Sequence, residues 1–306
     1  MTKSAALPIQ HQSDVFPYLR PICLADKESI AAFNTAYKPF SCEYAFANLY
    51  CWRKLCDYSW CLYKNRLVIY NGVDRLIYMP LGEKMTPEQL FELSNDFMKA
   101  GFSGNVALAP ETYIQRYPEL ERDYTIVSNR DLAEYIYNTR DLFELKGPRL
   151  HKKRNLISQF KRNFPEFEIE ALSPSNLRDC QSFAESQRKK LTRIDRGIND
   201  ENSAFQNALR RFDELDLEGI MLKARGKVAA FSIFSRLNAS LYVTHFEKSD
   251  HDNKGAAQVI NQATAARLAG KCEFINREQD LGLSGLRQAK MSYGPAMIYS
   301  THTLIP

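Results

Sequence analysis

The amino-acid sequence writes one order of elements twice. In the first half, a short apolar stretch at residues 18–24 leads into a helix that Asp26 is placed to cap, and a second helical segment covers 43–55. Three strand-like runs follow at 58–63, 66–70 and 75–81, with Lys64, Asn65, Asn71 and Gly72 as turn residues. Thr86, Pro87 and Gln89 then spell a helix start: a capping hydroxyl, a proline at the first helical position, and an amide that completes the capping box. Leu90, Leu93 and Phe97 recur at helical spacing before Gly101 stops the helix. A strand at 105–109, a short helix at 111–117 and two strands at 124–127 and 135–137 close the half.

The second half repeats this. Residues 167–172 read as a strand and 175–190 and 201–215 as helices. Residues 219–224, 227–235 and 240–246 read as three strands, turned by Arg225–Gly226 and by Leu237 and Asn238. A helix at 255–269 is stopped by Gly270. A strand at 273–276, a helix at 285–291 and an extended run at 296–304 follow. Each half reads β-α-α-β-β-β-α-β-α-β, an α+β plan with mixed sheets and neither a barrel nor a bundle. That order is the one expected of the Gcn5-related N-acyltransferase (GNAT) fold. The sequence therefore predicts two tandem acyl-CoA N-acyltransferase-like domains: 1–140 as a scaffold, 141–166 as a basic bridging helix, and 167–306 as the domain carrying the site.

Composition narrows the classes of function. With 306 residues, 44% hydrophobic and 25% charged, the chain has the length and balance of two ordinary folded domains. A formal net charge of +5 permits an anionic partner but falls short of a nucleic-acid-binding footprint. The longest apolar-rich run, 228–234, is far below the ~20 residues of a bilayer helix. Residues 1–14 lack the apolar core of a secretory signal, so a cytoplasmic protein is expected. Seven cysteines, odd in number and without a C-x-x-C pair, read as small core residues rather than as disulfides or a zinc site.

The site is sought where backbone donors and charge coincide. In folds of this plan the acyl donor's pyrophosphate rests on the first amides of the helix after the fourth strand, where small residues let it approach. The second half offers Lys254, Gly255, Ala256 and Ala257 there; Asp252 stands where a basic or amide residue is usual. The same stretch also reads as a glycine-started helix with acidic caps. In the first half, Pro87 removes a donor and Thr86 satisfies others, so that half is not expected to hold a donor.

Six of the fourteen residues from 149 to 162 are Lys or Arg, and Leu156, Ile157, Phe160 and Phe164 give the segment one apolar stripe. It reads as a docked amphipathic helix whose Lys152, Lys153 and Arg154 meet either solvent or phosphate. Arg188 and Lys189, with Lys190, Arg193 and Arg196, form a second basic cluster. Five histidines without a G-x-S-x-G motif give no nucleophilic triad, and no Walker loop is present. Strand alternation puts His245 and Glu247 on one face, with His245 read as a buried structural residue and Glu247 as the candidate base.

Residues 285–295 carry the pattern G-L-R-x-x-K-x-x-[FY]-x-P, with Arg287, Lys290 and Tyr293 in its fixed positions. This resembles the closing motif of the catalytic C-terminal domain of phosphatidylglycerol lysyltransferases. With residues 274–282 included, it resembles a soluble bacterial family of unknown function related to that domain. Residues 147–162, K-G-x-x-x-H-K-K-R-N in pattern, and 41–52, S-x-E-x-x-F-x-N-L-Y-x-W, agree with the same family. The resemblance implies a tandem acyltransferase-like fold and transfer of an acyl or aminoacyl group from acyl-CoA or aminoacyl-tRNA to an amine or hydroxyl. No tightly bound cofactor is expected. The alternative is a non-catalytic protein that keeps the fold and binds RNA or an anionic ligand. Arg287 and Lys290, three apart on one helix, are expected to face an anion or a salt-bridge partner in Glu278 or Asp280. Lys290 falls where acyltransferases of this fold place a tyrosine acid, and Tyr293 is the second candidate acid.

Overall fold

The computed structural model describes residues 16–191 and 196–306, in two units: 16–132 with 300–306, and 133–299. In the first, β1 (Arg20–Pro21) precedes α1 (Lys27–Tyr37) and α2 (Phe46–Trp52), the meander β2 (Tyr58–Tyr63), β3 (Arg66–Asn71) and β4 (Leu76–Tyr78), then α3 (Pro87–Lys99), β5 (Val106–Pro110), α4 (Glu111–Arg116) and β6 (Thr125–Ser128). Lys64 and Asn65, both at positive φ, make the two-residue turn that sets Tyr63 opposite Arg66. Thr86 and Gln89 exchange the reciprocal bonds of a capping box. Leu90, Leu93 and Phe97 then bury one stripe of α3 in a core with Val68, Ile77 and Val106.

The second unit runs β7 (Glu134–Asn138), α5 (Thr139–Glu144), α6 (His151–Asn163), β8 (Glu168–Ala171), α7 (Leu177–Lys189), α8 (Arg196–Arg210), β9 (Glu218–Ala224), β10 (Lys227–Arg236), β11 (Leu241–Ser249), α9 (Ala256–Leu268), β12 (Phe274–Gln279), α10 (Ser284–Met291) and β13 (Met297–Tyr299). Its sheet is ordered β13-β7-β12-β11-β10-β9-β8. Ile157 and Phe160 of α6 share a core with Val259 and Ile260 of α9 and Leu222 and Phe234 of the sheet. The other face stacks Phe183 and Phe205, from α7 and α8, on Phe231, and Phe205 also meets Phe246.

Two strands depart from the sequence reading. The run at 135–137 was expected to close the first half; as β7 it lies in the second sheet, between β12 and β13. Pairing, not position along the chain, decides this: fully buried Asn276 donates to Glu134, itself 1% exposed. The run at 296–304 breaks at Ser300, and β14 (Thr301–Ile305) inserts between β5 and β6 in the first sheet, where Leu304 is fully buried. The expected edges at 140 and 167 therefore do not follow the sheets. The helix read at 201–215 is placed at Arg196–Arg210.

Cys42, Cys51, Cys61 and Cys180 are buried free thiols, and burial pushes Cys51, Cys61 and Cys180 up to about 12, out of the range of a thiolate nucleophile. Among the described residues no helix is long and apolar enough to cross a membrane.

Candidate active site

The second sheet opens at one place. β11 and β12 run parallel and pair only at Leu241–Phe274, Tyr242–Ile275 and Val243–Asn276. Beyond Val243, β11 stays with β10 as far as Ser249 while β12 follows β7, so the two strands part. At the start of the gap each strand carries an irregularity. In β11, Phe246 lies opposite Ile233 and Thr244 opposite Phe234, which leaves His245 as the extra residue of a β-bulge. In β12, Glu278 has φ +58°.

The bulge corrects the expected placement of His245 and Glu247. Directly opposed residues share a sheet face, so Glu247 goes with Ser232 and Thr244 with Phe234, on the face packed under α6 and α9. His245 bonds Ser235 Oγ at 2.8 Å and lies 3.3 Å from Glu278, on the opposite face. One inserted residue reverses the alternation between 244 and 246. His245 is buried, as expected, and Glu247 stands apart from it.

Glu247 meets the cation that bridges the gap. Arg277 Nη2 donates to Glu247 Oε1 at 2.7 Å, and both side chains are mostly buried. Burial would lower the Arg277 pKa, and Glu247 together with Tyr137 and Tyr293 more than reverses that. Three buried polar atoms on this one face, Glu247 Oε2, Ser232 Oγ and Thr244 Oγ1, have no hydrogen-bond partner among the described residues. The Tyr293 ring borders the same place, with Arg277 Cζ 5.4 Å and Lys153 Nζ 4.2 Å from its centroid. Burial pushes the Tyr293 hydroxyl up to about 12, so it holds its proton at neutral pH. Burial first, and Arg277 second, lower the pKa of Lys153.

The other anticipated residues lie around this centre. Lys152 is exposed on α6. Arg154 instead donates to the carbonyls of Leu145 and Gly147, bracing the C-terminal end of α5. At the loop before α9, Lys254 is exposed, Ala256 is buried and Ala257 half-buried. Asp252 does not stand as a bare negative charge: Lys190 bonds it at 2.7 Å and Asp250 at 2.9 Å. Arg188 donates to Asn199, Lys189 is exposed, Arg196 pairs with Asp200, and Arg193 lies outside the described residues.

Gly255 has a reason to be glycine that involves no ligand. Its φ is +98°, and a Cβ there would sit 2.4 Å from the Leu156 carbonyl oxygen and 2.9 Å from Phe160 Cβ of α6. Gly255→Val is expected to cost about 3 kcal/mol of stability through backbone strain and overpacking, read as a lower denaturant midpoint with no ligand present. Gly82, its counterpart in the first unit, is crowded by Arg66, where a Cβ would come within 2.5 Å of Cγ.

Arg287 and Lys290 share a face, as their spacing requires, and both turn to partners within the chain. Arg287 forms a two-pronged pair with Asp280, Nε and Nη2 each at 2.8 Å, and Tyr135 donates to the same carboxylate. Buried Lys290 donates to the carbonyl of Arg277 at 2.6 Å and to that of Gln279. These bonds hold β12 where it leaves β11. The Lys290 carbonyl in turn accepts from Tyr137.

Sequence reasoning gave Arg277 no role. The available signal was the run Asn276-Arg277-Glu278-Gln279-Asp280, five polar residues continuing a strand that begins apolar in the middle of a sheet. A local breach of the burial pattern of that kind marks a functional segment.

Comparison with known proteins agrees with this architecture. No curated protein sequence matches the chain. A conserved protein of unknown function from Bacteroides thetaiotaomicron is 28% identical, covering 94% of this chain and 98% of its own, with a TM-score of 0.86. L-PGS from Bacillus licheniformis superposes with a TM-score of 0.62 at 14% identity, over 92% of this chain and 91% of its own. FemX does so with a TM-score of 0.61 at 9% identity, over 93% and 96%. The two seven-stranded mixed sheets are thus tandem GNAT-like domains. A family model described as phosphatidylglycerol lysyltransferase, C-terminal, matches residues 34–301. The chain belongs to the family of phosphatidylglycerol lysyltransferase C-terminal domains, a family related to aminoacyltransferases.

Proposed function

We propose that the opening between β11 and β12 is the site of an acyl or aminoacyl transfer. The observation that carries this reading is Glu247 Oε2: a buried carboxylate oxygen without a hydrogen-bond partner among the described residues, on a group oriented through its other oxygen by Arg277. A carboxylate only accepts hydrogen bonds, so the group it awaits is a donor, as an acceptor substrate's amine or hydroxyl is. The amine or hydroxyl attacks the carbonyl carbon of a thioester or ester. A C–N or C–O bond forms, the donor's C–S or C–O bond breaks, the nucleophile's proton passes to Glu247, and the Tyr293 hydroxyl protonates the leaving group.

In this reading Lys290 and Arg287 are positioning residues that act through β12. Ser232 and Thr244 supply hydroxyls to the floor of the opening. The Ala256 amide already donates to the Asn253 carbonyl, so the start of α9 contributes Lys254 and half-buried Ala257, and in this reading these, with the cations Lys152, Arg188 and Lys189, serve the anionic part of an acyl-CoA or aminoacyl-tRNA donor. Lys190, shared between Asp250 and Asp252, offsets part of the repulsion that Asp252 would exert on such a group.

The test is a thermal-shift panel of acetyl-CoA, longer acyl-CoAs and aminoacylated and bare tRNA, followed by transfer assays with any donor that binds. One donor class is expected to raise the melting temperature, since a ligand at a hundred times its Kd stabilises by about 2.7 kcal/mol. If no donor binds and no product forms, the reading fails; if bare tRNA binds as well as charged and nothing is transferred, the non-catalytic reading replaces it.

A further inference from the structure

Two groups beside the Tyr293 ring lack the partners their chemistry requires, and their signs are opposite. Glu247 Oε2 is buried and accepts from no group among the described residues. Lys153 Nζ, half-buried on α6, lies over the Tyr293 ring, and among the described residues no carboxylate or carbonyl bonds it. This sets it apart from its neighbours: Arg154 is spent on two carbonyls, Lys290 on two more, and Arg287 on Asp280. A buried acceptor without a donor and a partly desolvated cation without an anion each carry a cost that an occupant would relieve.

The two demands fall on one occupant. Lys153 and Arg277 both border the Tyr293 ring, and Arg277 holds Glu247, so the anion-seeking and donor-seeking positions are gathered around a single aromatic side chain. A plain amine would answer Glu247 and leave Lys153 bare. A plain carboxylate would do the reverse. Resting on the acyl-transfer reading, we infer that the acceptor substrate is a free α-amino acid, its carboxylate on Lys153 and its amino group on Glu247 Oε2. In an α-amino acid the two groups are attached to one carbon, which suits positions gathered around one ring. The neutral amino nitrogen attacks the donor's carbonyl carbon: a C–N bond forms, the donor's C–S or C–O bond breaks, the nitrogen's proton goes to Glu247, the Tyr293 hydroxyl protonates the leaving thiolate or alkoxide, and the product is an N-acylated amino acid that keeps its carboxylate on Lys153.

The experiment measures binding to the full chain by calorimetry for amino acids, their carboxamides, their N-acetyl derivatives and phosphoethanolamine. Wild type is expected to prefer amino acids over their carboxamides by at least tenfold, the effect of one charge-assisted hydrogen bond. Lys153→Met should bring that ratio near one while Lys153→Arg keeps most of it, and Glu247→Gln should erase the preference for free over N-acetylated amino acids. Rescue by arginine separates recognition of the carboxylate from a mere loss of packing on Tyr293. Equal binding of amino acids and carboxamides by wild type, or a ratio that survives Lys153→Met, overturns the inference. So does tighter binding of phosphoethanolamine, which would make the anion a phosphate. If acyl donors bind and simple amines are acylated while amino acids are not, the inference falls and the transfer reading stands; if no donor binds, the transfer reading falls first.

Discussion

Glu247→Gln lowers transfer turnover by about 10²–10⁴-fold, the range of a lost general base, in the donor and acceptor pair that the binding panels identify. The substitution keeps the shape and a hydrogen-bond acceptor for Arg277 Nη2, and it removes the charge that takes the nucleophile's proton. Because it also removes the charge of the mostly buried Glu247–Arg277 pair, some stability is lost with it. The two effects are separable: a loss of base appears in kcat at temperatures well below melting, with donor affinity retained. Full turnover in a folded Glu247→Gln protein would remove Glu247 from the reaction.

Asp280→Asn lowers stability by about 2–3 kcal/mol. Asp280 is fully buried and accepts from Arg287 twice, from Tyr135 and from the Gly282 amide. Removing one partner of a buried pair commonly costs more; here Arg287 is about one-third exposed, so water offsets part of the loss. The bonds from Arg287, aided by Tyr135, hold the Asp280 carboxyl well below the usual carboxylate range despite its burial. A pKa lowered in the folded state means that the unfolded chain binds the proton first. The contribution is therefore complete above the ordinary Asp value of about 4 and is lost as pH falls below it. Wild type should lose stability on acidification more steeply than Asp280→Asn in urea titrations. Parallel acid limbs would show that Asp280 does not carry this contribution.

The parts of the fold that one segment dictates were legible in the sequence. Thr86, Pro87 and Gln89 start α3 as their spacing requires, and Lys64–Asn65 turn β2 into β3, because each device needs only neighbouring residues. Long-range choices were not legible. Nothing near Tyr135 says that its strand will pair with β12; the buried bond between Asn276 and Glu134 spans residues that are far apart in the chain. For the candidate site, the sequence named side chains but not all of the groups that they meet. Arg287 pairs with Asp280, one of the two salt-bridge partners its spacing offered; Lys290 is engaged by two backbone carbonyls instead, and a carbonyl leaves no mark in a sequence. The bulge at His245 is likewise silent, since it depends on which residues of β10 face β11.

β14 sits between β5 and β6, and this fixes the order in which the chain can mature. On a ribosome, residues 16–132 emerge before 133–299, yet their sheet has a vacant lane until residues 301–305 arrive, after the entire second unit has been made. Through that interval β5 and β6 each present unpaired backbone edges, the kind of surface that recruits foreign strands. Such distant pairing slows folding and lengthens exposure. Of the two units, the one made earlier is thus completed later.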